Sequence, residues 1–441
     1  MLAERVDTLA GQEDGVGIIV GLVGPQGRRV ISYGHLNQAD PRSLDGNTCF
    51  EIGSVTKTFT ALLLADMVRK GEVALADPVA KYLPADVKVP GRNGRSITLL
   101  DLATHISGLP FMPDEPPASN DSTAPKESVA QFYQFLARYQ LPRDSGAKWD
   151  YSNLGYWLLS QALATRAGMN YESLLQTRVI APLKLTSTAI TPSTNMKANL
   201  AVGHNAALQP SPSFSTMPIY KDMSAAGGLV STANDLLTFL AANIGYERSP
   251  LAPAMANMLS TRRPMSQPRE AQALGWVVIG EGDDQLIVHD GGTWGYASSL
   301  AWDRKRRVGV VVLSNQVASV DDMARHLLRP SVPLARPQAT KHTEITVDSA
   351  VLDTYAGRYE ARGQGVFIIV REVDFLTIQL PADWGLPKLR LRPEGLRDFF
   401  ASELSLRVIV QIDSDRRVNG LLVYPPRGQQ PIRADRMASD R

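Results

Sequence analysis

Strand-like segments sit at both ends of the first 330 residues and helical ones fill the middle. That order limits the fold more than any other feature of this chain. Val16–Val23 is a short apolar run, followed by Gly24-Pro25-Gln26-Gly27 and a second run, Arg28–Tyr33. Pro-Gln-Gly between two such runs reads as a hairpin. Thr56–Lys70 has apolar residues at Phe59, Leu62, Leu63 and Met67 with Gly71 as a stop, and reads as an amphipathic helix. Leu99–Thr104, Val129–Tyr139, Leu154–Ala167 and Tyr171–Ile180 also read as helices. So does Ala233–Ile244, with Ser231 or Thr232 as its N-cap. Strands return at Leu274–Ile279, Gln285–His289, Ala297–Trp302 and Val308–Leu313. A doubly wound fold alternates strand and helix, so this order argues against it. It predicts an α/β unit: one mainly antiparallel sheet, built from the first hairpin and the last strands, flanked by helices.

The stretch Arg329–Pro337 holds three prolines in nine residues and reads as a linker. Beyond it the pattern changes to short strands at Tyr355–Glu360, Val366–Val373, Phe375–Leu380, Leu389–Leu391, Ser405–Ile412 and Leu421–Tyr424. This predicts a main domain over 1–330, a linker over 331–337 and a small all-β domain over 338–441, a barrel or curled sheet.

Charge and composition remove several classes. With 46 Lys and Arg against 44 Asp and Glu, the net charge is +2, far from the excess a nucleic-acid binder carries. Cys49 is the single cysteine, which excludes an intramolecular disulfide and a thiolate metal cluster. No His-Glu-x-x-His and no close histidine pair points to a zinc hydrolase, and no Gly-x-Ser-x-Gly elbow points to an α/β-hydrolase. Neither a metal nor an organic cofactor is implied. No apolar run approaches the length of a spanning helix. Met1–Asp7 lacks the basic-then-apolar layout of a secretory signal. The expected location is periplasmic or secreted if a signal was removed, and cytoplasmic otherwise. The oligomeric state is not legible.

Three short motifs can carry chemistry. In Gly53-Ser54-Val55-Thr56-Lys57, Ser54 and Lys57 are three apart at a helix start and share a face. A serine hydroxyl needs a base nearby. A lysine amine serves if burial brings its pKa from about 10.4 toward ~7–8. Alone, the pair reads as an N-cap serine and a surface lysine. Trp149-Asp150-Tyr151-Ser152-Asn153 places a phenol and a carboxamide two residues apart before a helix. Tyr151 can move a proton and Asn153 can donate to an amide carbonyl; alone, the segment reads as a capping loop. His289-Asp290-Gly291-Gly292-Thr293 closes a strand. Its glycines allow a ligand backbone to come close, and the N–H of Gly292 can join that of Ser54 as an oxyanion hole. Alone, it reads as a glycine-rich hairpin turn. His105, before the Ser107-Gly108 turn, reads as structural.

Taken in order, Ser-x-x-Lys, Tyr-x-Asn and His-x-Gly resemble the serine β-lactamase and penicillin-binding-protein superfamily. The likeness is strongest to its class C branch, which also holds D-amino-acid-releasing peptidases and family VIII esterases. Phe50–Lys57, Leu99–Pro110, Thr177–Leu185 and Ala226–Asp235 resemble further segments of that family. Asp353-Thr354-Tyr355-Ala356-Gly357-Arg358-Tyr359 looks like the start of its appended lipocalin-like β-domain.

The resemblance implies acyl transfer to a small-molecule or peptide substrate. Ser54 is the nucleophile, Lys57 and Tyr151 manage protons, and Asn153, His289, Gly291 and Gly292 hold substrate. It implies a D-Ala-D-Ala carboxypeptidase, another peptidase or a β-lactamase. A carboxylesterase and a non-catalytic module that binds penicillin or peptidoglycan fragments are the alternatives. His289 stands where class C β-lactamases carry the lysine of Lys-Thr-Gly, which implies modest β-lactam turnover. His289 is expected to gain charge below pH 6.5.

Overall fold

The computed structural model describes residues 2, 16–36, 40, 42–112, 125–205, 208, 210–211, 213, 224–334, 343–361, 365–381, 388–401, 406–413, 415, 417–424 and 431–437. The reading of Met1–Asp7 falls almost wholly outside them, and the linker reading does so at 335–337. The chain divides into a larger unit that ends by residue 337 and a smaller one centred on 338–441.

The larger unit is built on an eight-stranded antiparallel sheet. Its strands are β1 (Gly17–Gly24), β2 (Gly27–Gly34), β3 (Arg263–Pro264), β4 (Glu270–Gln272), β5 (Val277–Glu281), β6 (Asp284–Gly292), β7 (Ala297–Asp303) and β8 (Val308–Ser314). Their order across the sheet is β2-β1-β8-β7-β6-β5-β4-β3. The first hairpin therefore joins the last strand, with Ile18 opposite Ser314 and Val23 opposite Gly309. β7 and β8 are buried at nearly every position, because helices cover both faces. The strand expected over Leu274–Ile279 starts later, at Val277, since Gly275 turns the chain with φ +70.

Four helices matter for the site: α1 (Thr56–Arg69), α2 (Asn153–Ala167), α3 (Ala233–Ile244) and α4 (Asp321–Leu328). The amphipathic reading of α1 is corrected, since Thr56 through Met67 are all buried. Its hydroxyls are satisfied internally: Thr58 donates to Val55 O at 2.8 Å and Thr60 to Ala225 O at 2.8 Å. The stretch Thr56–Met67 shows no solvent-facing side, and Lys57 is buried with it. α2 is capped by Ser152, whose Oγ accepts from Gly155 N at 2.9 Å, and stops at Gly168 with φ +65.

The smaller unit opens with α5 (Ser349–Tyr355), so Tyr355, expected in a strand, is helical. Eight strands follow: β9 (Gly357–Ala361), β10 (Gly365–Arg371), β11 (Leu376–Gln379), β12 (Leu389–Pro393), β13 (Asp398–Ala401), β14 (Leu406–Ile412), β15 (Val418–Tyr424) and β16 (Ile432–Arg436). They pair in sequence order and close as a barrel, with Tyr359 of β9 opposite Arg436 of β16. Closure removes the exposed edges a curled sheet would keep. Tyr359, Phe367, Ile378, Phe399 and Val408 form part of its buried core.

Candidate active site

Ser54 sits in one 3-10 turn, Gly53–Val55, that runs into α1. Hydrogen bonds to Leu229 and Ser298 hold the residues that flank this turn. Ile52 N–H donates to Leu229 O at 3.0 Å, and Ser298 Oγ of β7 donates to Ile52 O at 2.8 Å. Leu229 N–H donates to Thr56 Oγ1 at 3.1 Å. Gly53 has φ +47, and a Cβ there would stand 2.5 Å from Gly292 N. A Cβ on Gly291 would land on Ile52 O. Glycine at both positions is what lets β6 press against the turn that carries Ser54.

The pairing of β6 with β5 ends at Val288 opposite Val277, while its pairing with β7 continues to Gly292 opposite Ala297. Among the described residues, His289–Gly292 thus has no strand partner on the β5 side, next to Ser54. A chain laid along that edge meets strand hydrogen-bonding groups.

Lys57 is fully buried, and its Nζ is the hub of the cluster. It lies 3.0 Å from Ser54 Oγ and donates to Asn153 Oδ1 at 2.8 Å and to Ala226 O at 2.5 Å. Among the described residues no carboxylate forms an ion pair with it. Burial without a counter-ion pushes its pKa well below the usual lysine range. A neutral amine keeps two N–H donors for Asn153 and Ala226 and turns a lone pair toward the Ser54 hydroxyl. The sequence hinted at Ala226 only through the Ala226–Asp235 segment, because the acceptor is a backbone carbonyl.

Asn153 is the first residue of α2. With Ser152 taking the cap, its carboxamide is available to Lys57, and its Nδ2 lies 3.9 Å from Met112 Sδ. The Tyr151 ring stands over Lys57, with Nζ 4.8 Å from its centroid. It stacks on His105 at 4.3 Å and on Phe111 at 6.1 Å. Phe111 is exposed.

His289 is buried, and its Nδ1 lies 2.9 Å from Asp290 O. Burial first, and Lys57 second, pull its pKa down to about 3. The expectation that it gains charge below pH 6.5 is therefore corrected: it stays neutral there. Asp290 accepts from Ser299 Oγ at 2.6 Å and from Arg325 Nη2 of α4 at 3.1 Å. That ion pair ties the open strand to a helix, and the motif His-Asp-Gly gave no sign of it because Arg325 lies far along the chain.

The structure thus brings together all seven residues singled out: Ser54, Lys57, Tyr151 and Asn153 on two helix starts, and His289, Gly291 and Gly292 on the facing strand. A family model described as Beta-lactamase matches residues 2–331. The chain belongs to the beta-lactamase family. It is 30% identical over 296 residues to D-alanyl-D-alanine-carboxypeptidase/endopeptidase AmpH of Escherichia coli strain K12, a match spanning 64% of this chain and 74% of that one. A penicillin-binding protein of Bacillus subtilis is 25% identical over 427 residues, 91% of each chain. Among solved structures, a class C beta lactamase from Rhodobacter sphaeroides aligns with a TM-score of 0.62 at 24% identity, covering 74% of this chain and 96% of that one. That likeness shows the fold. This beta-lactamase-family enzyme is a serine hydrolase. Among its described residues no helix is long and apolar enough to cross a membrane.

Proposed function

We propose that the protein hydrolyses peptide or ester carbonyls through an acyl-Ser54 intermediate. D-Ala-D-Ala-type peptides are the favoured class, and β-lactams are turned over slowly. The observation that carries this reading is the contact of buried Lys57, which has no ion pair among the described residues, with Ser54 at 3.0 Å. Ser54 Oγ attacks the carbonyl carbon as its proton passes to the neutral Lys57 amine, which becomes an ammonium. The oxyanion lies between the N–H groups of Ser54 and Gly292. The Tyr151 phenol gives its own proton to the leaving amine or alkoxide as the C–N or C–O bond breaks and takes one back from the Lys57 ammonium; water then attacks the ester of Ser54 with the same groups acting in reverse. Asn153 and the open edge at His289–Gly292 align the substrate chain. The catalytic domain is taken as 1–330 and the β-domain as 338–441. A cell-wall peptide lies outside the cytoplasmic membrane, so this substrate goes with a periplasmic or secreted enzyme.

The neutral His289 favours a second reading, a carboxylesterase. A site without a fixed cation at that position gives no special preference to a substrate carboxylate. One experiment separates these. The protein is incubated with a fluorescent penicillin, nitrocefin, a D-Ala-D-Ala peptide and p-nitrophenyl butyrate, and the acylated residue is located by mass spectrometry. Release of D-alanine with an adduct on Ser54 supports the peptidase; turnover of the ester alone supports the esterase. Stable penicillin labelling without turnover of any substrate leaves a binding module.

A further inference from the structure

His105 belongs to none of the catalytic motifs, yet it touches three consecutive residues of one. Its carbonyl accepts from Asp150 N–H at 2.7 Å. Its ring stacks on Tyr151 at 4.3 Å with planes 26° apart. Its Nδ1 accepts from Ser152 N–H at 3.1 Å. The residue is buried and has φ +57, a left-handed conformation that is rare outside glycine and costly to keep without a reason. In that conformation its carbonyl and its ring both reach the same short loop.

The hold continues along the chain. Ser152 Oγ donates to Pro110 O at 2.6 Å, and Asn153 and Leu154 N–H donate to Phe111 O at 3.0 and 3.3 Å. The segment from His105 to Phe111 is thus a template for the loop that delivers Tyr151 and Asn153. His105 contributes its side chain to Tyr151 and to the neighbouring Ser152 at once. The tautomer follows from the geometry. Because Nδ1 accepts from Ser152, the ring proton is on Nε2, which among the described residues has no hydrogen-bond partner.

We propose that His105 is a positioning residue for Tyr151. It fixes the phenol over Lys57 by clamping the backbone on either side of it and by stacking on its ring. The proposal rests on the reading of Tyr151 as the proton-transfer group. A loop of three residues with no such clamp would let the phenol swing about its two side-chain torsions. A misplacement of about 1 Å costs on the order of 10²-fold in rate.

The test is a double-mutant cycle on the full chain with p-nitrophenyl butyrate and a D-Ala-D-Ala peptide. His105→Asn keeps an acceptor for Ser152 N–H and tolerates positive φ, but loses the ring. His105→Phe keeps the ring and loses the acceptor. Each is made alone and with Tyr151→Phe, and thermal melting confirms a folded protein. The expected result is a fall in kcat of about 10–10²-fold for either single variant with KM nearly unchanged. In the Tyr151→Phe background the same changes are nearly silent. Equal losses in both backgrounds would mean that His105 supports the fold, not the phenol, and would overturn the proposal. So would full activity of a folded His105→Asn. If Tyr151→Phe alone retains wild-type activity, the base reading itself falls, and the proposal with it.

Discussion

Lys57 Nζ lies 3.0 Å from Ser54 Oγ in the buried first turn of α1, without a carboxylate to pair with among the described residues. An amine so placed holds a proton poorly and takes one from its neighbour readily. Ser54→Ala should therefore abolish turnover of every substrate and all covalent labelling by penicillin. Mass spectrometry of the intact protein checks this, and an adduct on another serine would refute the assignment.

The neutral state of Lys57 has its own consequence. Arginine keeps a positive charge at all working pH values and cannot act as base. Lys57→Arg should lose acylation by about 10²–10⁴-fold, the usual worth of a positioned acid–base group. If charge alone were needed, the arginine variant would retain activity. The pH dependence of acylation carries the sign. The amine works when deprotonated, so the acylation rate rises with pH through a pKa well below 10.5 and stays high above it. A rate that falls as pH rises through neutrality would contradict the base role.

The two-ended strand order made the sheet legible in the sequence. Val16–Val23 and Val308–Leu313 were readable as strands, and β1 pairs β8 as the topology argument required. α1 was legible as a helix but not as a buried one, because burial on every face depends on what packs around it. The seven site residues were readable as motifs only when taken together. The groups that hold them were not. Ala226 acts through its carbonyl, His105 through a left-handed backbone, and Arg325 from a remote helix. Each is set by tertiary proximity, which spacing along the chain does not encode. In the barrel, Asp398–Ala401 and Ile432–Arg436 are not legible as strands: the first is only four residues with no alternation, and the second offers just two apolar residues, Ile432 and Ala434, among charges.

His289 should behave as a neutral residue across pH 5.5–8.5, since its pKa lies at about 3. The ratio of kcat/KM for nitrocefin to that for p-nitrophenyl butyrate should show no histidine titration in this range. His289→Lys supplies a cation for the β-lactam carboxylate and should raise that ratio by about tenfold, the worth of one hydrogen bond to a charged group. A wild-type ratio that climbs steeply below pH 6.5 would show that substrate finds a protonated His289.

Stability should fall in acid for the same reason. His105 and His289 are buried neutral, with pKa values lowered from 6.5. The unfolded chain takes up these protons near pH 6.5 and the folded chain does not. The stability they permit is present above pH 6.5 and is lost as pH drops below it, by up to about 1.4 kcal/mol per pH unit for each histidine. Urea unfolding between pH 4 and 7 measures the slope. His289→Asn should reduce it by about one proton; an unchanged slope would show that His289 does not enter the linkage.

Gly291→Ala tests whether the open strand edge must touch the nucleophile turn. Its Cβ would fall on Ile52 O, a backbone atom already accepting from Ser298 Oγ, so no side chain can give way. β6 and the Gly53–Val55 turn would have to separate, which moves Gly292 N away from the Ser54 peptide and splits the oxyanion site. The expected loss in kcat/KM is about 10²-fold or more on peptide and ester alike, since both develop charge on the same oxygen. Gly27→Ala is the matched control. Gly27 also has positive φ, at +97, but nothing lies within 4 Å of its Cβ position. That variant should cost about 1 kcal/mol of stability and leave turnover intact. If Gly291→Ala lowered stability alone and kept kcat/KM, the edge and the turn would be held in register by something other than their contact.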